Sequence, residues 1–214
     1  SGDTLPVLSA QGEFLAWAAY NPDSKITARV WSWREDEVVD AAFLRNRIAN
    51  ALATRQAFTA VRPELVEGYG AEASIVSTRT ESLLTRASNT GMRLIHAESD
   101  GLPGLIVDQY GDVLVMQIGS AGAERWRDVC ADILQELCNP ICIYERSDSD
   151  SRLLEKLEKR NGVLRGNLPD KVEVIENGLR FKVDVAEGQK TGFYLDQRNN
   201  RALTETLARD KDVL

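Results

Sequence analysis

The chain has 214 residues, of which 43% are hydrophobic and 28% charged, and its formal net charge at pH 7 is −7. This composition is typical of a globular protein, and no apolar run is long enough to cross a bilayer. The negative charge argues against nucleic-acid binding driven by charge alone, although a local basic face on an acidic protein can still bind RNA.

The N-terminal region, residues 1–33, is predicted to form short strands with a turn at Gln11-Gly12. Arg29, Trp31 and Trp33 fall on one face of the last of these strands. The tryptophans either pack in a core or against another domain, or they offer a stacking surface for RNA bases.

A helix is predicted over residues 36–58, because Leu44, Ile48 and Leu52 recur every four residues. Its arginines lie on other sides of the helix, and we expect a solvated face, with phosphate contact as the alternative; they are Arg45, Arg47 and Arg55. Residues 60–90 are rich in Ser, Thr, Gly and Glu and have no sustained period, so a loop or a poorly ordered insertion is expected there.

From Met92 onward the pattern predicts a strand, a Gly-Pro-Gly loop and a hairpin turning at Gly111. A helix is predicted over residues 122–138, where apolar residues form one continuous stripe. The segment "ICIYERSD" is predicted to be a strand that runs into a polar loop, and "SRLLEKLEKR" a short helix.

The C-terminal part begins with a predicted hairpin over residues 172–185, with the Asn177-Gly178 pair that a type I′ turn prefers. Asp196 is predicted to be the N-cap of a helix that continues to residue 208. The last four residues, "KDVL", are typical of the opening of a buried strand in an α/β domain.

Candidate chemistry is sparse, because no pairing of a nucleophile with a base is visible. His96 is the only histidine and is more often structural than catalytic in such a setting. The three cysteines, an odd number without CxxC spacing, are expected to be reduced and mostly buried thiols, with a reactive thiol as the alternative; they are Cys130, Cys138 and Cys142.

Two polar clusters remain, Glu98–Gly104 with Asp108 beyond it, and the segment "EGQKTGFYLDQRNNR" at 187–201. The first is either a hairpin loop held by its own side chains or a binding loop. The second offers cationic, aromatic and amide groups that suit a ligand with a carboxylate, hydroxyls and a purine. A loop that merely caps the following helix is the alternative.

The motifs "RLIHAESDGLPGLIVDQYGD", "YERSD" and "GQKTGFYLDQRNNR", in this order and spacing, resemble the bacterial ribosomal RNA large-subunit methyltransferase I family. The resemblance covers nearly the whole chain apart from about residues 60–90. It implies transfer of a methyl group from S-adenosyl-L-methionine to carbon 5 of a cytosine in ribosomal RNA. After "YERSD" this sequence departs from the family, which usually has a Lys-Glu-Gly-containing stretch there.

The resemblance also implies a multidomain α+β and α/β architecture. Residues 1–34 would be the later strands of a PUA β-barrel, and 35–185 a central α/β domain with 60–90 as an insertion. Residues 186–214 would be only the first elements of a Rossmann-like methyltransferase domain. The chain is therefore expected to be a fragment, inactive by itself, with the catalytic cysteine beyond Leu214.

Site residues follow from the same resemblance. The cofactor-binding residues would be Lys190, Thr191, Phe193, Tyr194, Gln197 and Arg198. The residues facing the RNA substrate would be Glu98, Ser99, Asp100, Arg146 and Asp148. Ribosomal RNA is the expected partner. A cytoplasmic location and a homodimer are also expected, whereas a bound metal and a membrane contact are not. The alternatives are an RNA-binding or structural module without catalysis, and a related methyltransferase of different base specificity.

Overall fold

The computed structural model describes residues 1–59 and 89–212. Their strands are β1 (Asp3–Leu8), β2 (Phe14–Tyr20), β3 (Ala28–Ser32), β4 (Gly91–His96), β5 (Leu105–Tyr110), β6 (Val113–Ile118), β7 (Cys142–Ser147), β8 (Arg160–Gly166), β9 (Val172–Glu176) and β10 (Leu179–Val183). Their helices are α1 (Ala41–Thr59), α2 (Ala121–Arg125), α3 (Arg127–Cys138), α4 (Ser151–Leu154) and α5 (Arg198–Ala208), with single 3-10 turns at Ala97–Asp100 and Leu195–Gln197. No helix within these ranges is long and apolar enough to cross a membrane.

Strands β1, β2 and β3 form an antiparallel sheet in chain order. The start of α2 packs against it, and a side chain on Gly122 would collide with Ala19 and crowd Trp31. The two tryptophans of the β3 region are separated by this packing, because Trp31 is buried whereas Trp33, just beyond the strand, is 74% exposed. Trp31 is thus a core residue, and only Trp33 remains available for stacking.

A five-stranded sheet forms the centre of the chain, in the order β4-β5-β6-β7-β8. Its neighbours are antiparallel except β6 and β7, which are parallel because α2 and α3 carry the chain back across the sheet. Helices α1 and α3 cover one face and bury a core that includes Leu44, Ile48 and Leu134.

The other face of this sheet is covered by the β9–β10 hairpin and by the chain that follows it. Tyr110, Val115 and Tyr144 from the sheet pack there against Val174 and Val183 of the hairpin. The segment from Val185 to Leu195 extends this second core, and it therefore brings the polar residues 190–198 over the central sheet.

Several predicted boundaries were wrong. Helix α1 begins at Ala41 rather than at residue 36, because the Asp40 carboxylate accepts a hydrogen bond from the Phe43 amide (2.9 Å) and caps the helix there. The helix predicted over 122–138 is interrupted at Trp126, and its first part is capped by Ser120.

The helix predicted for "SRLLEKLEKR" is only the four-residue α4. Lys156 adopts a left-handed conformation (φ 56°), which ends any continuation, and Arg160 already belongs to β8, a strand that was not predicted. The expectation for 60–90 lies outside the described residues except at Asn89 and Thr90. Residues 213 and 214 of "KDVL" also lie outside them, and the described Lys211 and Asp212 are exposed.

The predicted solvated arginine face of α1 is confirmed in part, because the side chains of Arg45 and Arg47 are 39% and 35% exposed, whereas that of Arg55 is 17% exposed. All three arginines form ion pairs. Arg55 binds Asp100 through two hydrogen bonds (2.6 and 2.7 Å). Arg45 pairs with Glu136 on α3, and Arg47 with Glu37 (3.4 Å).

Candidate functional site

A cleft of about 690 Å³ lies between the face of β4, β5 and β6 and the segment 190–198. Its lining combines apolar side chains with cationic, acidic, amide and imidazole groups. The lining residues are Met92, Arg93, His96, Ile106, Gln117, Lys190, Thr191, Phe193, Leu195, Asp196 and Arg198.

A series of buried and partly buried hydrogen bonds fixes the inner wall of this cleft. Arg93 and Asp108 are partners on β4 and β5, and the guanidinium binds both carboxylate oxygens (2.8 and 2.9 Å). Thr191 donates to the same carboxylate (2.6 Å), and the Tyr110 hydroxyl lies 2.7 Å from the Thr191 hydroxyl. Because the Thr191 proton is directed to Asp108, Tyr110 is the donor in the second contact. These hydrogen bonds, called the Asp108 network below, fix the segment 190–193 to the sheet.

Two groups of the Asp108 network, Arg93 and Tyr110, each keep one protonation state near neutral pH. The hydrogen bond to Asp108 raises the pKa of Arg93 above its ordinary value. Burial raises the pKa of Tyr110 to about 12. The guanidinium therefore stays charged and the phenol stays a neutral donor.

The outer end of the segment is held by a second buried carboxylate, that of Glu176 on β9. Arg201 binds it through two hydrogen bonds (2.7 and 2.8 Å), and Arg198 binds it at 3.3 Å and donates to the Gly91 carbonyl (2.5 Å). Burial acts to raise the pKa of Glu176, but the two guanidinium groups outweigh it and hold the pKa below its ordinary value. The Arg201 guanidinium also lies over the Phe193 ring, 4.4 Å from its centre.

The exposed edge of the segment consists of Lys190, Tyr194 and Asp196. The Lys190 ammonium lies 4.5 Å from the centre of the Tyr194 ring and binds both carboxylate oxygens of Asp196 (2.8 Å each). The hydrogen bond from Lys190 lowers the pKa of Asp196. The prediction that Asp196 caps α5 is wrong, because its side chain is held by Lys190 and the helix begins at Arg198 after Gln197 without a side-chain cap.

Glu98, Ser99 and Asp100 lie on the 3-10 turn that follows β4, away from the lining of the cleft. Asp100 is held by Arg55 and accepts a hydrogen bond from the His96 amide (2.6 Å). Glu98 is exposed and pairs with Arg29 (3.3 Å), whereas Ser99 is exposed.

Arg146 and Asp148 lie at the end of β7, and Arg146 is buried. Its guanidinium donates to the carbonyl groups of Val185 (2.9 Å) and Gly188 (3.1 Å) and to the Asp148 carboxylate (3.2 Å). Arg146 therefore fixes the start of the 187–201 segment to the sheet.

The structure brings together four of the six residues expected to bind the cofactor, since Lys190, Thr191, Phe193 and Arg198 line the cleft while Tyr194 and Gln197 lie beside it. The five residues expected to face RNA do not line it. Sequence reasoning missed Arg93, Gln117 and the position of His96 in the lining. Strand alternation alone would place His96 on the face opposite Arg93, and the contact of these residues with residues 190–198 depends on packing between distant parts of the chain.

A third buried carboxylate joins the N-terminal sheet to the centre of the chain. Glu155 accepts hydrogen bonds from Ser24 (2.6 Å), Asn21 (3.1 Å) and Arg29 (3.1 Å), all in or before β3. Burial acts to raise the pKa of Glu155, but these hydrogen bonds hold it below the ordinary value. The segment after "YERSD" thus supplies the anchor between the two sheets.

The three thiols are free, as expected, with Cys130 and Cys142 buried and Cys138 partly buried. Burial raises the pKa of Cys130 to about 12 and also raises the pKa of the other two. None is therefore a ready thiolate near neutral pH. In the two described ranges, no group of three or more His, Cys, Asp or Glu residues is placed to hold a metal ion.

Comparison with known proteins gives one family model and a set of curated relatives. The model, a PUA-like domain, matches residues 1–33. Ribosomal RNA large subunit methyltransferase I of Shewanella denitrificans is 41% identical over 215 residues, covering 100% of this chain and 48% of that protein. The protein of the same name from Pseudoalteromonas atlantica is 42% identical over 213 residues, with the same coverage. The chain spans about half the length of the curated relatives it matches.

Two solved structures share the fold. SMU.776 in complex with SAH has a TM-score of 0.68 at 18% identity, covering 94% of this chain and 44% of its own. A structure described as a SAM-dependent methyltransferase from Streptococcus mutans has a TM-score of 0.69 at 18% identity, covering 98% and 46%. At this identity the likeness concerns the fold alone.

Proposed function

The chain is homologous along its whole length to about half of ribosomal RNA large subunit methyltransferase I, and we propose that it is part of an enzyme that methylates large-subunit ribosomal RNA. The observation that carries the proposal is the 41% identity, which extends over 100% of the chain. The finer proposal is that the target atom is carbon 5 of a cytosine and that the enzyme works in the cytoplasm.

The cofactor of this reaction is S-adenosylmethionine, which supplies the methyl group when it is bound. The residues proposed to contact it are Tyr194, Phe193 and Gln197, at the proposed start of a Rossmann-like domain. None of the three side chains is bound to a buried carboxylate: Lys190 lies against the Tyr194 ring, Arg201 lies over the Phe193 ring, and the Gln197 amide oxygen accepts a hydrogen bond from Asn200 (2.7 Å). Thr191 and Arg198 act differently, because Asp108, Glu176 and Gly91 already bind their polar groups. Their role is to hold the wall in the shape that receives the cofactor.

Three substitutions test this wall in a chimera, in which residues 1–214 replace the matching part of the Shewanella denitrificans protein. Phe193→Ala, Tyr194→Ala and Gln197→Ala each remove a contact, and at least one should raise the dissociation constant for S-adenosylmethionine about tenfold, as expected for a loss of about 1.4 kcal/mol. Calorimetric titration measures the constant. If all three variants bind as the parent does, the segment is not a cofactor site.

Ribosomal RNA is the proposed partner, and the exposed Trp33 offers a stacking face on the PUA-like sheet. Glu98, Ser99 and Asp148 are the proposed RNA-facing residues that remain exposed or partly exposed, whereas Asp100 and Arg146 support them through internal contacts. A homodimer is a further part of the proposal.

Methylation at carbon 5 of cytosine requires a thiolate to add to carbon 6, so that carbon 5 becomes nucleophilic. The buried thiols Cys130, Cys138 and Cys142 are unsuited to this role, since burial raises the pKa of each. We therefore expect residues 1–214 alone to be inactive.

Transfer of labelled methyl groups tests the proposed function. The chimera should label undermodified large-subunit ribosomal RNA, and residues 1–214 alone should not exceed background. A chimera that folds and binds RNA without labelling it would favour an RNA-binding module, and turnover by residues 1–214 alone would contradict the proposed inactivity.

A further inference from the structure

Three residues form a row across the strands that border the cleft. His96 on β4 is the register partner of Ile106 on β5, and Ile106 is the register partner of Gln117 on β6. All three line the cleft. Because neighbouring strands lie about 4.8 Å apart, the two polar residues start about 10 Å from each other, with an apolar side chain between them.

A β-bulge is the reason that His96 lies on this face. Side chains alternate along a strand, so Arg93 and His96, three positions apart, would point to opposite faces of a regular strand. The register shifts between Arg93 and Ile95, and Leu94 and Ile95 both enter the core under α1. Arg93 and His96 therefore share the cleft. Bulges often redirect a side chain beside a functional site.

The polar ends of the row are the groups of the cleft that remain open to a ligand. Arg93, Thr191 and Arg198 are held by buried carboxylates, and Lys190 and Asp196 hold each other. Within the described residues, the His96 imidazole and the Gln117 amide make no hydrogen bond or ion pair. Each can donate as well as accept a hydrogen bond.

We propose that the row formed by His96, Ile106 and Gln117 is the floor of a nucleoside-binding site, an inference that rests on the proposed function. A nucleobase has an apolar face and an edge of alternating donors and acceptors. The face of the base packs on Ile106, and the His96 imidazole and the Gln117 amide form hydrogen bonds with polar groups along the edge of the base. The cleft volume of about 690 Å³ is within the range of small-molecule sites.

Two nucleosides take part in the proposed reaction, the target nucleotide of the RNA and the adenosine of the cofactor. Both present the same chemistry to the row, so the experiment must distinguish them. The probes are cytidine 5′-monophosphate and S-adenosylhomocysteine, each titrated into the 214-residue chain. Nuclear magnetic resonance detects weak binding and locates it through the side-chain signals of His96 and Gln117.

One probe should shift the His96 ring and Gln117 amide signals in a saturable way. His96→Ala and Gln117→Ala should each weaken its binding about tenfold, and the double variant about a hundredfold. Neither side chain has an internal partner, so both variants should keep the parent melting temperature. Gln11→Ala, which changes an exposed glutamine in the β1–β2 turn, is the matched control and should bind as the parent does.

A response to cytidine 5′-monophosphate assigns the row to the RNA, and a response to S-adenosylhomocysteine assigns it to the cofactor. If neither probe shifts these signals, or if the variants bind like the Gln11→Ala control, the inference is overturned. Failure of the nucleoside-binding site can be distinguished from failure of the proposed methyltransferase function. An active chimera whose KM values are unaffected by both substitutions retains the function without the site, whereas binding at the row without methyl transfer retains only the site.

Discussion

Thr191→Val should destabilise the chain far more than the loss of one hydroxyl group from a surface. Thr191 is 1% exposed, donates to Asp108 at 2.6 Å and lies 2.7 Å from the Tyr110 hydroxyl. Valine keeps the shape of the side chain but removes the hydrogen bond to the charged Asp108 carboxylate. The Asp108 carboxylate and the Tyr110 hydroxyl then both lack the Thr191 hydroxyl as a partner. A hydrogen bond to a charged group contributes about 1.5–3 kcal/mol, so we expect a loss of about 2 kcal/mol in the free energy of unfolding.

Thermal unfolding followed by circular dichroism measures the effect. For a chain of this length, about 2 kcal/mol corresponds to a fall of about 4–8 °C in melting temperature. The matched control is Thr204→Val on the exposed side of α5, where the hydroxyl bonds only to the Asn200 carbonyl and the change should stay within about 0.5 kcal/mol.

A double-mutant cycle with Tyr110→Phe then tests whether the contacts act as one network. The two substitutions remove a shared hydrogen bond, so the double variant should lose less stability than the sum of the single losses. If Thr191→Val is as stable as Thr204→Val, the Asp108 network does not hold the segment to the sheet.

Three further predictions concern the other buried groups. Glu155→Ala should lower the free energy of unfolding in urea by about 3 kcal/mol because it leaves buried partners unpaired, whereas the exposed Glu158→Ala should have little effect; equal effects would contradict this anchor. The folded-state pKa of Glu176 is lowered, so its contribution to the free energy of unfolding is fully present above pH 4.5, the ordinary pKa, and is lost as pH falls through the folded-state pKa. Glu176→Gln should remove that part of the loss of stability in acid, as measured by melting curves at several pH values. An unchanged pH dependence would contradict this role of Glu176. Cys130 and Cys142 should react with a thiol reagent at pH 8 much more slowly in the folded chain than in urea, and equal rates would show that they are not buried.

Local signals in the sequence predicted local structure well. The Asn177-Gly178 pair forms the tip of the β9–β10 hairpin with positive φ at both residues (51° and 82°), as the predicted turn requires. The apolar stripe of residues 122–138 predicted helix correctly but not its interruption at Trp126, because the stripe continues through both helical pieces.

The candidate site was predictable as a polar cluster but not as an arrangement. The "KTGFY" segment was identified from its residue types, yet Thr191 is bound to Asp108, 83 positions away. The entry of His96 into the cleft depends on the bulge beside Leu94, and strand alternation alone would place it on the other face. Such non-local contacts are fixed by packing between distant segments, which a periodic pattern does not encode.

The identity of the methylated nucleoside tests the central claim most directly. Undermodified large-subunit ribosomal RNA is incubated with the chimera and labelled S-adenosylmethionine, digested to nucleosides and separated by chromatography. We expect the label to elute with 5-methylcytidine. Label in another nucleoside would contradict the proposed target atom, and the absence of label from RNA would contradict the assignment to a ribosomal RNA methyltransferase.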